Sequence, residues 1–366
     1  MRGCRRFLGC AALGMAVSAS AGTLAIQGSD TPIVRTTHLP PASTGLVDDL
    51  APPSSHPLVH HAVLRPAPHA RVHRVYASIT NRTSLASQEG LHTIDTGPLA
   101  LQSSVALVMD ESNSNVLFEK HSDVALPIAS ITKLMTSLVV LDAHQNMEEM
   151  VEVTDEDLDT EKNTRSRLAI GTILSRRDLM HIALMSSENR AAHALCRNYP
   201  GGLAACLQAM NAKATQLGMT STYFNDPTGL SKQNVASASD LAKLLQAASE
   251  NPTIREFSTD HGYTVPVGRH MVAYHNTNAL VSNPGWDIVV QKTGYIVEAG
   301  KCLVMKAKIE GKTVLIVLLD SVGKYTRFGD ANRIKKWVES RPNLIEASHV
   351  GAPEPSIGTE PVHVTS

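Results

Sequence analysis

The chain has 366 residues, 43% of them hydrophobic, and its 33 lysines and arginines against 34 aspartates and glutamates leave a formal charge of -1. That length supports one large domain or two modest ones with an ample core. The even charge balance, with a pI near 7.0, gives no electrostatic basis for binding nucleic acid or an anionic membrane surface. At the N-terminus, Arg2, Arg5 and Arg6 precede a short apolar stretch, Phe7 to Val17, and Ala19-Ser20-Ala21 fits a small-x-small cleavage pattern. Residues 1–21 therefore read as an export signal, its apolar core too short to span a bilayer. Cys10 after Leu8-Gly9 faintly resembles a lipoprotein site, but cleavage there would leave almost no apolar core. No later stretch reads as a transmembrane anchor, so the mature chain is expected to be soluble and periplasmic.

Residues 22–100 differ in composition. This segment holds nine of the nineteen prolines and seven of the sixteen histidines, with a single aromatic, Tyr76. So little apolar surface cannot offset the entropy of ordering, which predicts a disordered or extended linker, dispensable for chemistry. Its histidines (His38, His56, His60, His61, His69, His73 and His92) follow no metal-ligand spacing, so no metal or cofactor is expected.

Order is predicted from Leu101 to Ser340. Ser104–Asp110 and Val116–Lys120 alternate as strands around the turn-rich Glu111–Asn115, a β-hairpin. Ile131 to about Asp142 reads as a helix, apolar nearly all round and hence buried. The charged stretch Glu148–Ser175 reads as a solvated face with short β-like pieces. Helices are expected at Arg177–Met185, Glu188–Leu195 and Gly202–Leu217, the last two separated by Asn198-Tyr-Pro-Gly-Gly202, and again at Ala238–Ser249. Tyr263–Val267 and Trp286–Gln291 read as strands, Lys301–Ile309 and Lys312–Leu319 as a second hairpin around Glu310-Gly311, and Asn332–Glu339 as a closing helix. Strands at both ends with helices between them predict an α+β domain in which the terminal hairpins share one antiparallel sheet and a helical cluster packs on it. Residues 341–366, rich in Pro, Gly, Ser and Thr, read as a flexible tail.

Three short motifs carry chemistry. In Pro127-Ile-Ala-Ser-Ile-Thr-Lys133, Ser130 precedes Lys133 by three residues at a helix start, so one helix face brings amine and hydroxyl together. A lysine can serve as the base for a serine when burial depresses its pKa. Alone, the pattern more often marks an N-cap serine and an unrelated lysine. Ser187-Glu188-Asn189 falls at a break between helices, where a hydroxyl could relay a proton and an amide could orient the lysine. Lys292-Thr293-Gly294 ends a strand; its cation and hydroxyl could grip a carboxylate, and its glycine could admit substrate backbone.

In this order the three motifs form the signature of serine β-lactamases and penicillin-binding proteins. The chain resembles the low-molecular-mass penicillin-binding proteins, serine D-alanyl-D-alanine peptidases, over about Leu101 to Ser340, including Leu126-Pro-Ile-Ala-Ser-Ile-Thr-Lys133. Ser187-Glu-Asn189 and Lys292-Thr-Gly-Tyr295 followed by Glu298-Ala-Gly-Lys-Cys-Leu-Val-Met305 look most like the D-alanyl-D-alanine endopeptidase branch, although the middle Glu188 departs from the Gly or Asp of many relatives. The resemblance implies the transpeptidase-like fold, peptidoglycan stem peptides as substrate and β-lactams as covalent inhibitors. It implies Ser130 as nucleophile, Lys133 as its base, Ser187 as proton relay and Asn189 as holder of Lys133 and substrate. Lys292 would supply positive potential, Thr293 would bind a carboxylate, and the N–H groups of Ser130 and Tyr295 would form the oxyanion hole. Gly294 completes the substrate-binding motif. Arg327, in Tyr325-Thr-Arg-Phe-Gly329, sits about where carboxypeptidase relatives place a carboxylate-binding arginine; an ordinary surface arginine reads equally well.

A class A β-lactamase would need a deacylating glutamate where this chain reads Asn225-Asp-Pro-Thr-Gly-Leu-Ser-Lys-Gln-Asn234, so rapid β-lactam hydrolysis is not expected. The short polar segment after Ser340 has neither the extra β-rich domain nor the amphipathic anchor of many carboxypeptidase relatives, which favours the endopeptidase branch over a carboxypeptidase. Three complete motifs weigh against a non-catalytic peptidoglycan-binding module. Of the cysteines outside the signal, Cys196, Cys206 and Cys302, all three are expected as small buried hydrophobes. A Cys196–Cys206 bridge is the less favoured reading, because both lie in expected helices.

Overall fold

In the computed structural model, strands at the two ends of the described chain meet in one sheet. The structure describes residues 84–92, 97 and 99–341. The expected signal, most of the linker and the tail beyond Arg341 lie outside them. After a single-turn helix α1 (Leu85–Gln88) come β1 (Ser103–Asp110) and β2 (Asn115–Lys120), the first expected hairpin. The chain then runs through the two-residue β3 (Leu126–Pro127) into α2 (Thr132–Asp142). Next follow β4 (Met150–Glu152), β5 (Ile173–Ser175), α3 (Arg176–Met185), α4 (Asn189–Arg197) and α5 (Gly202–Gln216). Beyond β6 (Val235–Ala236) lie α6 (Ala238–Glu250) and α7 (Pro252–Thr259), then the hairpin β7 (Gly262–Val267) and β8 (His270–His275). The last part holds β9 (Asp287–Ile296), β10 (Gly300–Ile309), β11 (Lys312–Ser321) and α8 (Thr326–Glu339).

The main sheet runs β2-β1-β11-β10-β9, wholly antiparallel, with Val105 opposite Leu319 and Val304 opposite Lys292. Both of its faces are buried. Val105, Leu107, Val304, Val317 and Leu319 face the helical cluster, whereas Ala106, Val108, Leu303, Ile316 and Leu318 pack with Phe328, Ala331, Ile334 and Val338 of α8. That sandwiching explains why Val314–Leu319 is a continuous apolar run, without the alternation of a half-solvated antiparallel strand. In the helical layer α2 is the central element, and every residue from Thr132 to Val140 is buried, as its all-round apolarity predicts.

Three expectations need correction. The linker boundary is too far downstream, because α1 belongs to the fold: Ala86 is buried in the core and the Leu85 N–H donates to Glu298 O at 3.0 Å. The strand expected at Trp286–Gln291 continues through the Lys-Thr-Gly motif to Ile296, so that motif lies inside an edge strand. Finally, Cys196 and Cys206 are joined in a disulfide, with Cα atoms 5.4 Å apart. Gly201 and Gly202 both take positive φ between α4 and α5, so the chain reverses within a few residues and folds the second turn of α5 onto the last turn of α4. Cys302 alone is the expected buried thiol, pushed up to about 12 by burial.

Candidate active site

Ser130 sits in a 3-10 turn, Ala129–Ile131, that leads directly into α2. Its predecessor Ala129 takes φ +48°, a left-handed conformation that costs a non-glycine residue energy and is held by its surroundings. Two glycines do the holding. A Cβ on Gly229 would lie 1.9 Å from Ala129 O, and one on Gly294 would lie 2.9 Å from Ile128 O and 3.2 Å from Ser130 N. Gly294 is therefore required by the chain's own nucleophile turn, which presses against β9. Gly294 also lines the cleft, where the sequence placed it as a substrate-binding residue.

Lys133, one helical turn on, is fully buried. Its ammonium donates to Ser130 Oγ at 2.8 Å, Asn189 Oδ1 at 2.8 Å and Thr228 O at 2.6 Å. Burial lowers its pKa from 10.5 to about 7, against the opposing pull of Asp226 and Glu188. As a free amine it keeps two protons for Asn189 and Thr228 and turns its lone pair to the Ser130 hydroxyl. Proton removal from a serine requires that arrangement.

The turn between α3 and α4 brings the second motif alongside. Ser187, at φ +63°, accepts from Lys292 Nζ at 2.9 Å, and Asn189 opens α4. The intervening Glu188 caps α4 by accepting from Arg190 N and also accepts from Ser166 Oγ at 2.6 Å. The unusual middle residue thus has a structural task, and its charge also acts on Lys133. Lys292 is fully buried on β9 and also donates to Thr293 O at 3.0 Å; burial first, then the charges of Lys133 and Arg327, hold it well below the ordinary lysine range.

Ser130, Ser187, Asn189, Thr293, Gly294, Tyr295 and Arg327 line one cleft of about 270 Å³. Every site residue read from the sequence is in this cleft or, for Lys133 and Lys292, bonded directly beneath it. Arg327 is no surface residue: it is buried at the start of α8, its Nη1 donating to Lys324 O at 3.2 Å. Three further residues escaped sequence reasoning. Thr164 accepts from Asn189 Nδ2 at 3.1 Å and donates to Asp159 Oδ2 at 2.7 Å, so the amide is held with its oxygen toward Lys133. Thr277 shares a 2.6 Å hydrogen bond with Thr293. Asp226 accepts from the N–H groups of Thr228, Gly229 and Ser231, fixing the loop whose carbonyl receives Lys133. Thr164 lies in the charged stretch read as a solvated face; no local motif marks it, since only the fold brings it to Asn189.

Comparison with known proteins agrees with this geometry. A family model described as peptidase S11, D-alanyl-D-alanine carboxypeptidase, matches residues 92–323. A D-alanyl-D-alanine endopeptidase of Pseudomonas aeruginosa is 45% identical over 243 residues, covering 66% of this chain and 78% of the relative. One of Escherichia coli is 43% identical over 242 residues, with the same shares of 66% and 78%. Among solved structures, the Streptomyces K15 DD-transpeptidase superposes with a TM-score of 0.60 at 28% identity, covering 65% of this chain and 97% of that one. Penicillin-binding protein D2 from Listeria monocytogenes, in its cefotaxime-bound form, gives 0.58 at 30% identity, covering 64% and 96%. The chain belongs to the peptidase S11 family of serine D-alanyl-D-alanine peptidases, and its fold is that of the penicillin-binding proteins.

Proposed function

We propose that this protein is a D-alanyl-D-alanine endopeptidase that cleaves D-alanyl cross-links of peptidoglycan through an acyl-enzyme on Ser130. The observation that carries this reading is the pair of serine–lysine contacts in one cleft, Ser130–Lys133 at 2.8 Å and Ser187–Lys292 at 2.9 Å. Lys133, half neutral at a pH of about 7 and mostly neutral above it, takes the Ser130 proton as Oγ attacks the D-alanyl carbonyl. The N–H groups of Ser130 and Tyr295 receive the oxyanion, an interaction whose loss typically costs about 3–4 kcal/mol of barrier. Ser187, polarised by Lys292, passes a proton to the leaving amine. Thr293 and Arg327 take the carboxylate beside that amine. Water then hydrolyses the ester and regenerates Ser130.

The endopeptidase names of the relatives favour cross-links over the terminal D-alanine of uncross-linked stems, and the family description keeps carboxypeptidase activity as the second reading. Export to the periplasm is supported by the pattern of residues 1–21, which lie outside the described residues. Among the described residues no helix is long and apolar enough to cross a membrane. Mass analysis of products from purified cross-linked and uncross-linked muropeptides tests the reading. Dimers should fall to monomers; release of D-alanine from pentapeptides with dimers left intact would assign the carboxypeptidase activity instead.

A further inference from the structure

Next to Tyr295 and Arg327, which line the cleft, two further cations stand just outside it. Lys301 lies on β10 directly opposite Tyr295 of β9, with its Nζ 3.6 Å from the centre of that ring. Lys324 stands over the ring of Tyr325 at 5.1 Å, and its carbonyl receives Arg327. Among the described residues, Lys301, Lys324 and Arg327 form no ion pair with any carboxylate. Arg327 is nine-tenths buried, lines the cleft and leaves its Nε without an acceptor. Both tyrosines are largely exposed, at 55% for Tyr295 and 63% for Tyr325. Burial, then the neighbouring Arg327 and Lys324, hold Lys301 below the ordinary lysine range, as expected of cations crowded without a counter-charge.

We infer that Lys301 and Lys324, flanked by Tyr295 and Tyr325, form an anionic subsite beyond Arg327 for carboxylates of the leaving peptide. This rests on the endopeptidase reading for its substrate. In a terminal D-alanine the leaving amine carries one carboxylate, which Thr293 and Arg327 satisfy. In a cross-link the leaving amine belongs to a second peptide with further carboxylates, which on leaving the cleft past Arg327 meet the surface that Lys301 and Lys324 form. Two lysines spaced beyond the first arginine meet that second charge, and the tyrosine faces cover the peptide's apolar parts. The subsite thus favours a long anionic leaving group over a single amino acid. It changes substrate capture and leaves the chemistry at Ser130 untouched.

The test uses the full chain and the K301Q/K324Q double variant. Substrates are a D-alanyl cross-linked muropeptide dimer with free carboxylates on its leaving peptide, and the same dimer with those carboxylates amidated. The double variant should lose about ten-fold in kcat/KM on the free dimer, carried by KM, and little on the amidated one. The wild-type preference for the free dimer should shrink in high salt. Full labelling of Ser130 by saturating penicillin would establish that the variant is folded. A second measurement needs no turnover: the free-carboxylate leaving peptide should slow penicillin acylation of the wild type and lose that protection in the variant. Equal protection of both proteins would overturn the subsite. Failure of the wild type to cut either dimer would remove the endopeptidase reading, with the protection experiment still deciding the subsite.

Discussion

The pKa of one amine sets the pH dependence of this site. Burial takes Lys133 to about 7, while Asp226 and Glu188 pull it upward. The base form is the neutral one, so acylation should rise as pH increases through about 7 and level off above it. Glu188→Gln keeps an acceptor for Ser166 but removes a negative charge that favours the ammonium, so the acid limb should move to lower pH. Stopped-flow acylation by a chromogenic β-lactam across pH 5 to about 9 measures both curves. A limb that stays in place, or moves upward, would show that Glu188 does not act on the base. At this scale the sequence was most legible: spacing brought Ser130 and Lys133 to one helix face, and the roles of Ser187, Asn189 and Lys292 came from the resemblance that the three motifs carry together. Thr164, Thr277 and Asp226 stand in none. They reach the site from loops far along the chain, so only tertiary structure reveals them.

Among the elements, strand and helix existence followed from periodicity, and the two hairpins and their common sheet from turns and chain order, whereas strand order and register did not. Thr313–Leu319 reads as a strand by its β-branched run, yet nothing local says that β1, from the other end of the chain, pairs with it. α7 is short and polar outside Ile254 and Phe257, and β8 leaves most of its apolar residues at least partly exposed, so neither shows a clean pattern to read. The α4–α5 disulfide was obscured for a different reason: two helical cysteines ten residues apart meet only if the intervening turn is tight, and Gly201 and Gly202 supply that turn. The bridge closes a short loop, so its removal should cost roughly 2–3 kcal/mol. Urea unfolding of a Cys196→Ala/Cys206→Ala variant should show a midpoint below the wild type, with reductant lowering only the wild-type value. Identical midpoints would mean that the bridge contributes nothing to stability.

For the whole molecule, the sandwiched sheet brings β9, the Ser130 turn and the α3–α4 turn to one cleft. The N-terminal helix α1 braces the β9–β10 turn, through Leu85 to Glu298, and Glu298 in turn pairs with Lys162 at 2.6 Å. A chain beginning at Ser84 should therefore retain full stability and acylation, whereas one beginning at Leu101 should lose about 4 kcal/mol for the burial of Ala86 and Leu99 and the Leu85 hydrogen bond. Equal unfolding midpoints for the two truncations would return α1 to the linker. Polar composition over residues 22–100 masked this boundary, because Ala86, Leu91 and Leu99 are too few and too scattered to leave a hydrophobic signature.

The central claim is that Ser130 is the nucleophile that a buried lysine activates. A β-lactam presents a strained amide to the same groups, its carboxylate falling to Thr293 and Arg327, and no glutamate stands in the 225–234 loop to speed deacylation. Incubation with benzylpenicillin followed by intact mass and peptide mapping should find one long-lived adduct on Ser130. Lys133→Ala should form it at least about a hundred-fold more slowly. An adduct on any other residue, no adduct at high drug concentration, or undiminished acylation of Lys133→Ala would contradict the mechanism.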